Sequence, residues 1–184
     1  MSDPYADGQY HWWHLSRVPP ELLAAEADDW LGKPGHVLDI GCGLGVELAH
    51  LAQYGWRSCG IDMSAVALQR ARADHADVAF IQADALRLPF TTRAFDLVLD
   101  RGCFQYLDPW QRRAYSAEAQ RVLRPEGRML LRACLNCAGI RNDITGAVIA
   151  SAFAGWTIDY LKPVQVPSDT REMPALEVRL RRKV

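Results

Sequence analysis

The sequence predicts an α/β fold: a three-layer sandwich in which helices cover both faces of a mostly parallel seven-stranded sheet whose last strand is antiparallel. Two observations predict it. From residue 36 onward, short runs rich in branched apolar residues alternate with longer amphipathic runs, the pattern of strand and helix units in a parallel sheet. The last two strand-type runs are separated only by a Pro-rich polar stretch, which suits an antiparallel pair. At 184 residues and 49% hydrophobic, the chain is long enough to bury a core and short enough for one domain. Residues 1–35 are expected to be an N-terminal helical extension and 36–184 the main domain.

The elements follow in order. HVLDI (36–40) is a first strand, and residues 44–55 a helix with Leu44, Leu48, Leu51 and Ala52 on one face, closed by Gly55. A second strand spans 56–62, and Ser64 stands where an N-cap belongs, before a helix burying Val66, Ala67 and Ala71. Residues 78–84 form the third strand and 95–100 the fourth. Pro109 suits the first turn of the next helix, which Arg124-Pro125 stops. The fifth strand is 127–135, a helix lies near 141–153, and strands at 155–161 and 175–183 flank a loop from Lys162 to Pro174. The extension carries a helix from Pro20 to Leu31.

A net charge of −1 and a pI near 6.5 argue against nucleic acid as the main partner. The basic run Arg179, Arg181, Arg182 and Lys183 reads as the solvated face of a terminal strand. Neither a secretory leader nor an apolar run long enough for a membrane span is evident, so no membrane partner and a cytoplasmic location are expected. Five cysteines, an odd count, suggest reduced thiols, and the single Cys134/Cys137 pair lacks companions for zinc.

In open α/β sheets ligands sit beyond the carboxyl ends of the strands. Here Asp62, Asp84 and Asp100 end the second, third and fourth strands, and Asp39 precedes the glycines at 41, 43 and 45. The glycines admit a ligand against the main chain where a Cβ would block it. Asp62 lies about 20 residues beyond Gly41, the distance at which a carboxylate binds both ribose hydroxyls. The spacing is GxGxG, not the GxGxxG of a pyrophosphate loop, and Asp39 would repel phosphate and favour an ammonium group. The expected ligand is an adenosine with a cationic tail.

VLDIGCGLG, GIDMS, QADALRLPF, FDLVLDRGCFQYL and RVLRPEGRMLL together resemble the ordered motifs of class I S-adenosylmethionine-dependent methyltransferases, over residues 36–135. The resemblance implies a Rossmann-like fold and the cofactor S-adenosyl-L-methionine, with S-adenosyl-L-homocysteine as product. It implies that Gly41, Cys42 and Gly43 lie against the methionine part, with Asp39 organising its amino end. Asp62 would hold the ribose, Met63 would pack on the adenine, and Asp84 and Ala85 would meet its amino edge. The carbonyl of Asp100 and the side chain of Arg101 would meet the methionine amino and carboxylate groups. DRGCF and the tryptophan upstream of PPELL further resemble the thiopurine and thiol methyltransferases, which would place Trp13 over the cofactor.

Methyl transfer from a sulfonium needs alignment and exclusion of water more than a base. The expected acceptor is a small molecule bearing a thiol, amine or hydroxyl, or an anionic group. Candidate acceptor residues are Tyr10, His14, Cys103, Tyr106, Arg132 and Arg141, with the arginines suited to a carboxylate or phosphate, or else paired with Asp143 or Asp169. No catalytic residue and no metal ligand is assigned. The alternative is a protein of the same fold that binds the cofactor without methylating, as an accessory subunit or a cyclisation enzyme. A nicotinamide oxidoreductase would require the glycine spacing this chain lacks.

Overall fold

The computed structural model describes residues 3–135 and 143–183. The helices are α1 (Pro20–Ala27), α2 (Val46–Gln53), α3 (Ala65–Asp74), α4 (Arg112–Val122) and α5 (Gly146–Ala152). The strands are β1 (His36–Ile40), β2 (Arg57–Asp62), β3 (Ala79–Gln82), β4 (Phe95–Asp100), β5 (Leu123–Cys134), β6 (Trp156–Pro167) and β7 (Glu172–Arg182). They form one seven-stranded sheet in the order β3-β2-β1-β4-β5-β7-β6. Strands β1 to β5 pair in parallel, and β7 runs antiparallel to both β5 and β6. The chain steps outward from β1 to β3 and then returns to β4, so the order reverses between β1 and β4. Open α/β sheets bind ligands at this point, and the glycine loop after β1 lies there.

Strand alternation divides the core between the two faces. Leu38, Val98 and Met129 join Tyr115, Ala119 and Val122 of α4 and Ile149 of α5 on one face. Val37, Leu97 and Leu130 join Leu22 and Ala25 of α1, Leu48 and Leu51 of α2, and Leu68 and Ala71 of α3 on the other. The extension is therefore built into the core through α1. Truncating a fully buried residue such as Leu22 costs about 2–5 kcal/mol.

Several sequence expectations need correction. Helix α2 begins at Val46, not Leu44, because Gly45 at φ 76° is left-handed and closes the loop first. Helix α3 has its expected cap, Ser64 Oγ accepting from Ala67 N at 2.9 Å, but buries Leu68 where Val66 was expected. Helix α4 starts at Arg112 rather than after Pro109, and α5 begins at Gly146, capped by Thr145, rather than near residue 141. β3 ends at Gln82, so Asp84 lies beyond it.

The stretch 162–174 is mostly strand: β6 and β7 form a long hairpin whose turn lies at 168–171. Pairing runs from Trp156↔Arg182 to Pro167↔Glu172, and the polar composition reflects the exposure of β6 at the sheet edge. For the same reason Arg179 is not solvated. It sits on β7, between β5 and β6, where it pairs with Glu177 at 3.1 Å and Asp28 at 2.5 Å and lies over the Tyr160 ring.

Candidate cofactor and acceptor site

The glycine loop is tied to the end of β2. Gly41 N and Cys42 N both donate to Ile61 O, at 2.8 and 2.9 Å. Gly41 and Gly43 have φ of 75° and 53°, and a Cβ on Gly41 would fall 2.8 Å from that of Cys103. Asp62 accepts from Gly43 N at 2.9 Å and Ser64 N at 2.8 Å, one amide per oxygen. A carboxylate has about four acceptor positions, so lone pairs remain for a diol. Burial pushes the Asp62 carboxyl upward, against those amides.

Asp39 is fully buried, and its Oδ1 has no hydrogen-bond partner. Burial first, then Glu47 and Asp100, push its carboxyl well above the usual range, while Arg101 opposes them. An orphaned buried acid of this kind suits a cationic amino group, which would supply the missing partner.

Asp100 plays a different part from its neighbour. Its Oδ1 accepts from Gly102 N and Cys103 N at 2.8 and 2.7 Å, and its Oδ2 from Phe104 N at 3.0 Å and from the Tyr115 hydroxyl. The side chain thus shapes the turn after β4, leaving its carbonyl and Arg101 at the strand end.

Arg101 Nε lies 3.3 Å from Glu47 Oε1 and 3.8 Å from Glu21 Oε1, and Glu21 Oε1 lies 3.7 Å from Arg132 Nε. Arg132 also donates to Arg101 O and to Cys134 Sγ. Burial, then Arg132, lowers the Arg101 pKa. The Nε atoms of both arginines are buried without hydrogen bonds, so the cluster keeps donor capacity for a further anion. Arg132 is buried, and its acidic neighbour is Glu21. The acids proposed for it are engaged elsewhere, Asp143 with Arg112 at 2.7 Å and Asp169 with Ser16.

The other predicted positions divide between an open and a closed side. Met63 is 72% exposed, Asp84 is exposed with its Oδ1 accepting from Leu86 N, and Ala85 is buried beside them. On the closed side, the N-terminal segment crosses the carboxyl edge of the sheet. Tyr10 stacks on Tyr5 at 5.1 Å, and Trp13 meets Tyr5 edge-on at 6.3 Å. Trp13 also packs on Cys134, Val166, Met173 and Ala175. His14 meets Tyr10 edge-on, and burial lowers its pKa, with Asp169 opposing and Arg101 adding to the effect. Cys103 lies under the glycine loop and burial holds its thiol protonated, while Tyr106 is half exposed. Arg141 and Cys137 fall outside the described residues.

Sequence reasoning missed Tyr5, Glu21 and Glu47. Both glutamates carry a usable signal: each occupies an inward position of its helix, beside Leu22 and Leu48, and a buried acid demands a buried partner. Among the described residues no cluster suited to a metal ion occurs, and no helix is long and apolar enough to cross a membrane. A cleft of about 710 Å³, lined by His36, Gln53, Arg57 and His75, opens at the amino ends of the strands. None of the predicted site residues lines it, and ligands of open α/β sheets bind at the other edge.

Comparison with known proteins agrees with this layout. The profile of a family described as a methyltransferase domain matches residues 37–127. This stretch of the chain is therefore similar to methyltransferase domains. The chain is 39% identical over 104 residues to a malonyl-[acyl-carrier protein] O-methyltransferase of Hahella chejuensis, covering 54% of this chain and 36% of that one. The chain spans about a third of the length of the curated relatives it matches. A structure reported for the conversion of a disulfide bond into a thioacetal group during echinomycin biosynthesis superposes with a TM-score of 0.82 at 25% identity, over 98% of this chain and 91% of that one. The 1,6-didemethyltoxoflavin N1-methyltransferase of Burkholderia thailandensis, with bound S-adenosylhomocysteine, shares the fold at a TM-score of 0.75 and 23% identity, over 98% and 84% of the two chains. The shared fold thus continues through the hairpin β6–β7, beyond the stretch the family profile matches.

Proposed function

We propose that the protein transfers a methyl group from S-adenosylmethionine to a small-molecule acceptor. The observation that carries this reading is the pairing of two features around one glycine loop. Asp62 retains acceptor capacity for the ribose, and Asp39, an orphaned buried acid, awaits a cationic amino group. Arg101 would take the tail carboxylate, while Met63, Asp84 and Ala85 would flank the adenine on the open side. Bound there, the cofactor supplies an electrophilic methyl group. The chain contributes binding, alignment and exclusion of water by the N-terminal segment, which is the larger part of catalysis for an in-line displacement.

A small acceptor is supported by the shape of the closed side. Among the described residues, Tyr10, Trp13, His14 and the hairpin turn converge over the strand ends, which narrows the face open to an acceptor there. The Asp100 to Phe104 wording and the Pro19–Leu23 helix start support a position near the thiol methyltransferases. The relatives act on differing acceptors by their names, so the acceptor class must be found directly. Incubation of the protein and S-adenosylmethionine with a panel of thiols, amines and hydroxy acids should release S-adenosylhomocysteine with at least one. Tight cofactor binding with no turnover across the panel would favour an accessory or cyclising role instead.

A further inference from the structure

The N-terminal segment does more than lie near the glycine loop. A Cβ on Gly43 would fall 2.5 Å from the Tyr5 hydroxyl oxygen, so the phenol rests directly on the loop backbone. Burial, then Asp62, raises the Tyr5 pKa, which keeps the phenol neutral and able to donate at physiological pH. The Trp13 ring meets the Tyr5 ring edge-on at 6.3 Å. A neutral phenol carries one proton to donate.

The segment is held at both ends. At one end Asp3 accepts from Ser64 Oγ at 2.9 and 2.7 Å, and Arg70 lies over the Tyr10 ring at 5.4 Å, both on α3 or its cap. At the other, Asp169 in the β6–β7 turn accepts from Ser16 N at 3.0 and 3.1 Å and from Ser16 Oγ at 3.1 Å. Asp169 N donates back to His14 O at 2.8 Å, and Thr170 Oγ1 donates to His11 O at 3.3 Å. Residues 3–16 are thus a strap running from α3 across the glycine loop to the far hairpin. Its course leaves Met63 and Asp84 open and covers Gly43, which is buried.

We propose that Tyr5 is a further contact of the bound cofactor, donating its phenol proton to a cofactor oxygen, and that the strap's clasps at Ser64 and Asp169 hold it there. The proposal rests on the reading of the site as an S-adenosylmethionine site. It makes cofactor retention depend on a residue at the tip of a distant hairpin.

The test is the dissociation of S-adenosylhomocysteine, measured by stopped-flow displacement with calorimetric Kd values, on the full chain and four variants. Tyr5→Phe should raise Kd about fivefold, the scale of one lost hydrogen bond, with Tm held. Asp169→Asn and Ser64→Ala should each speed dissociation about two- to fivefold, since each clasp is a small hydrogen-bond cluster. Asp159→Asn, which removes an ion pair to Arg181 on the same hairpin, should leave the rate unchanged. Binding by the wild type with unchanged rates in Tyr5→Phe and Asp169→Asn would overturn the proposal alone. A wild type that does not bind S-adenosylhomocysteine would overturn the cofactor reading and the proposal with it.

Discussion

Arg101 Nε lies 3.3 Å from Glu47 Oε1, joining the end of β4 to the first turn of α2 on either side of the glycine loop. Both groups are nearly buried, so neither can lose the other cheaply: an isolated charge left inside a protein costs about 3–5 kcal/mol. Arg101→Met should therefore lower stability by that order and raise the Kd for S-adenosylhomocysteine at least about tenfold. The double variant Arg101→Met/Glu47→Met separates the two effects. Its Tm should recover much of the loss, because an apolar pair replaces a buried ion pair, while affinity should stay low. Recovery of both would show that Arg101 does not meet the cofactor.

Tyr115 serves the same strand end from beneath. Its hydroxyl donates to Asp100, whose carboxylate also gathers the Gly102, Cys103 and Phe104 amides. Tyr115→Phe should cost about 1.5–3 kcal/mol in denaturant unfolding, the range for a hydrogen bond to a charged group. Its effect on S-adenosylhomocysteine affinity should stay within about twofold. A large loss of affinity would mean that the Asp100 carboxylate itself contacts the ligand.

The β1–β5 framework was legible because parallel strands buried on both faces leave continuous apolar runs, and each is followed by a turn or a cap. Ser64, Asp62 and the glycine loop were readable for the same local reason. The antiparallel pair at 155–161 and 175–183 was readable, but the outer half of the hairpin β6–β7 was not: Lys162, Pro163 and Gln165 lie on an edge strand, where composition resembles that of a loop. The buried cluster of Glu21, Glu47, Arg101 and Arg132 joins four elements distant in sequence. Only the fold brings those charges together, so spacing alone could not pair them. Tyr5 was lost among the aromatic residues of the extension, because its contact with Gly43 depends on where the strap crosses.

Asp39 gives a pH signature. Burial raises its folded-state pKa, so the folded chain keeps this proton to higher pH than the unfolded chain does. The associated stability is fully present below about pH 4 and is lost as pH rises through the folded pKa. Asp39→Asn copies the protonated form, so without ligand its Tm advantage over wild type should grow as pH rises above the usual carboxylate range. His14 acts in the opposite sense: its lowered pKa contributes stability above about 6.5 that is lost on acidification through the folded value. Comparing the two proteins at each pH isolates Asp39. Affinity of the wild type for S-adenosylhomocysteine should rise with pH over the same window, with proton release, and the Asn variant should show a flat profile. A wild-type profile as flat as the variant's would remove Asp39 from the amino-end role.

The central claim is that the glycine loop and Asp62 hold an adenosine with a cationic amino-acid tail and not a dinucleotide. Calorimetry of the wild-type protein and Asp62→Ala against S-adenosylhomocysteine and against NAD tests it most directly. The account predicts saturable binding of S-adenosylhomocysteine by the wild type, a loss of at least about tenfold in Asp62→Ala from two forfeited ribose hydrogen bonds, and no binding of NAD. Binding of NAD in place of S-adenosylhomocysteine would contradict it.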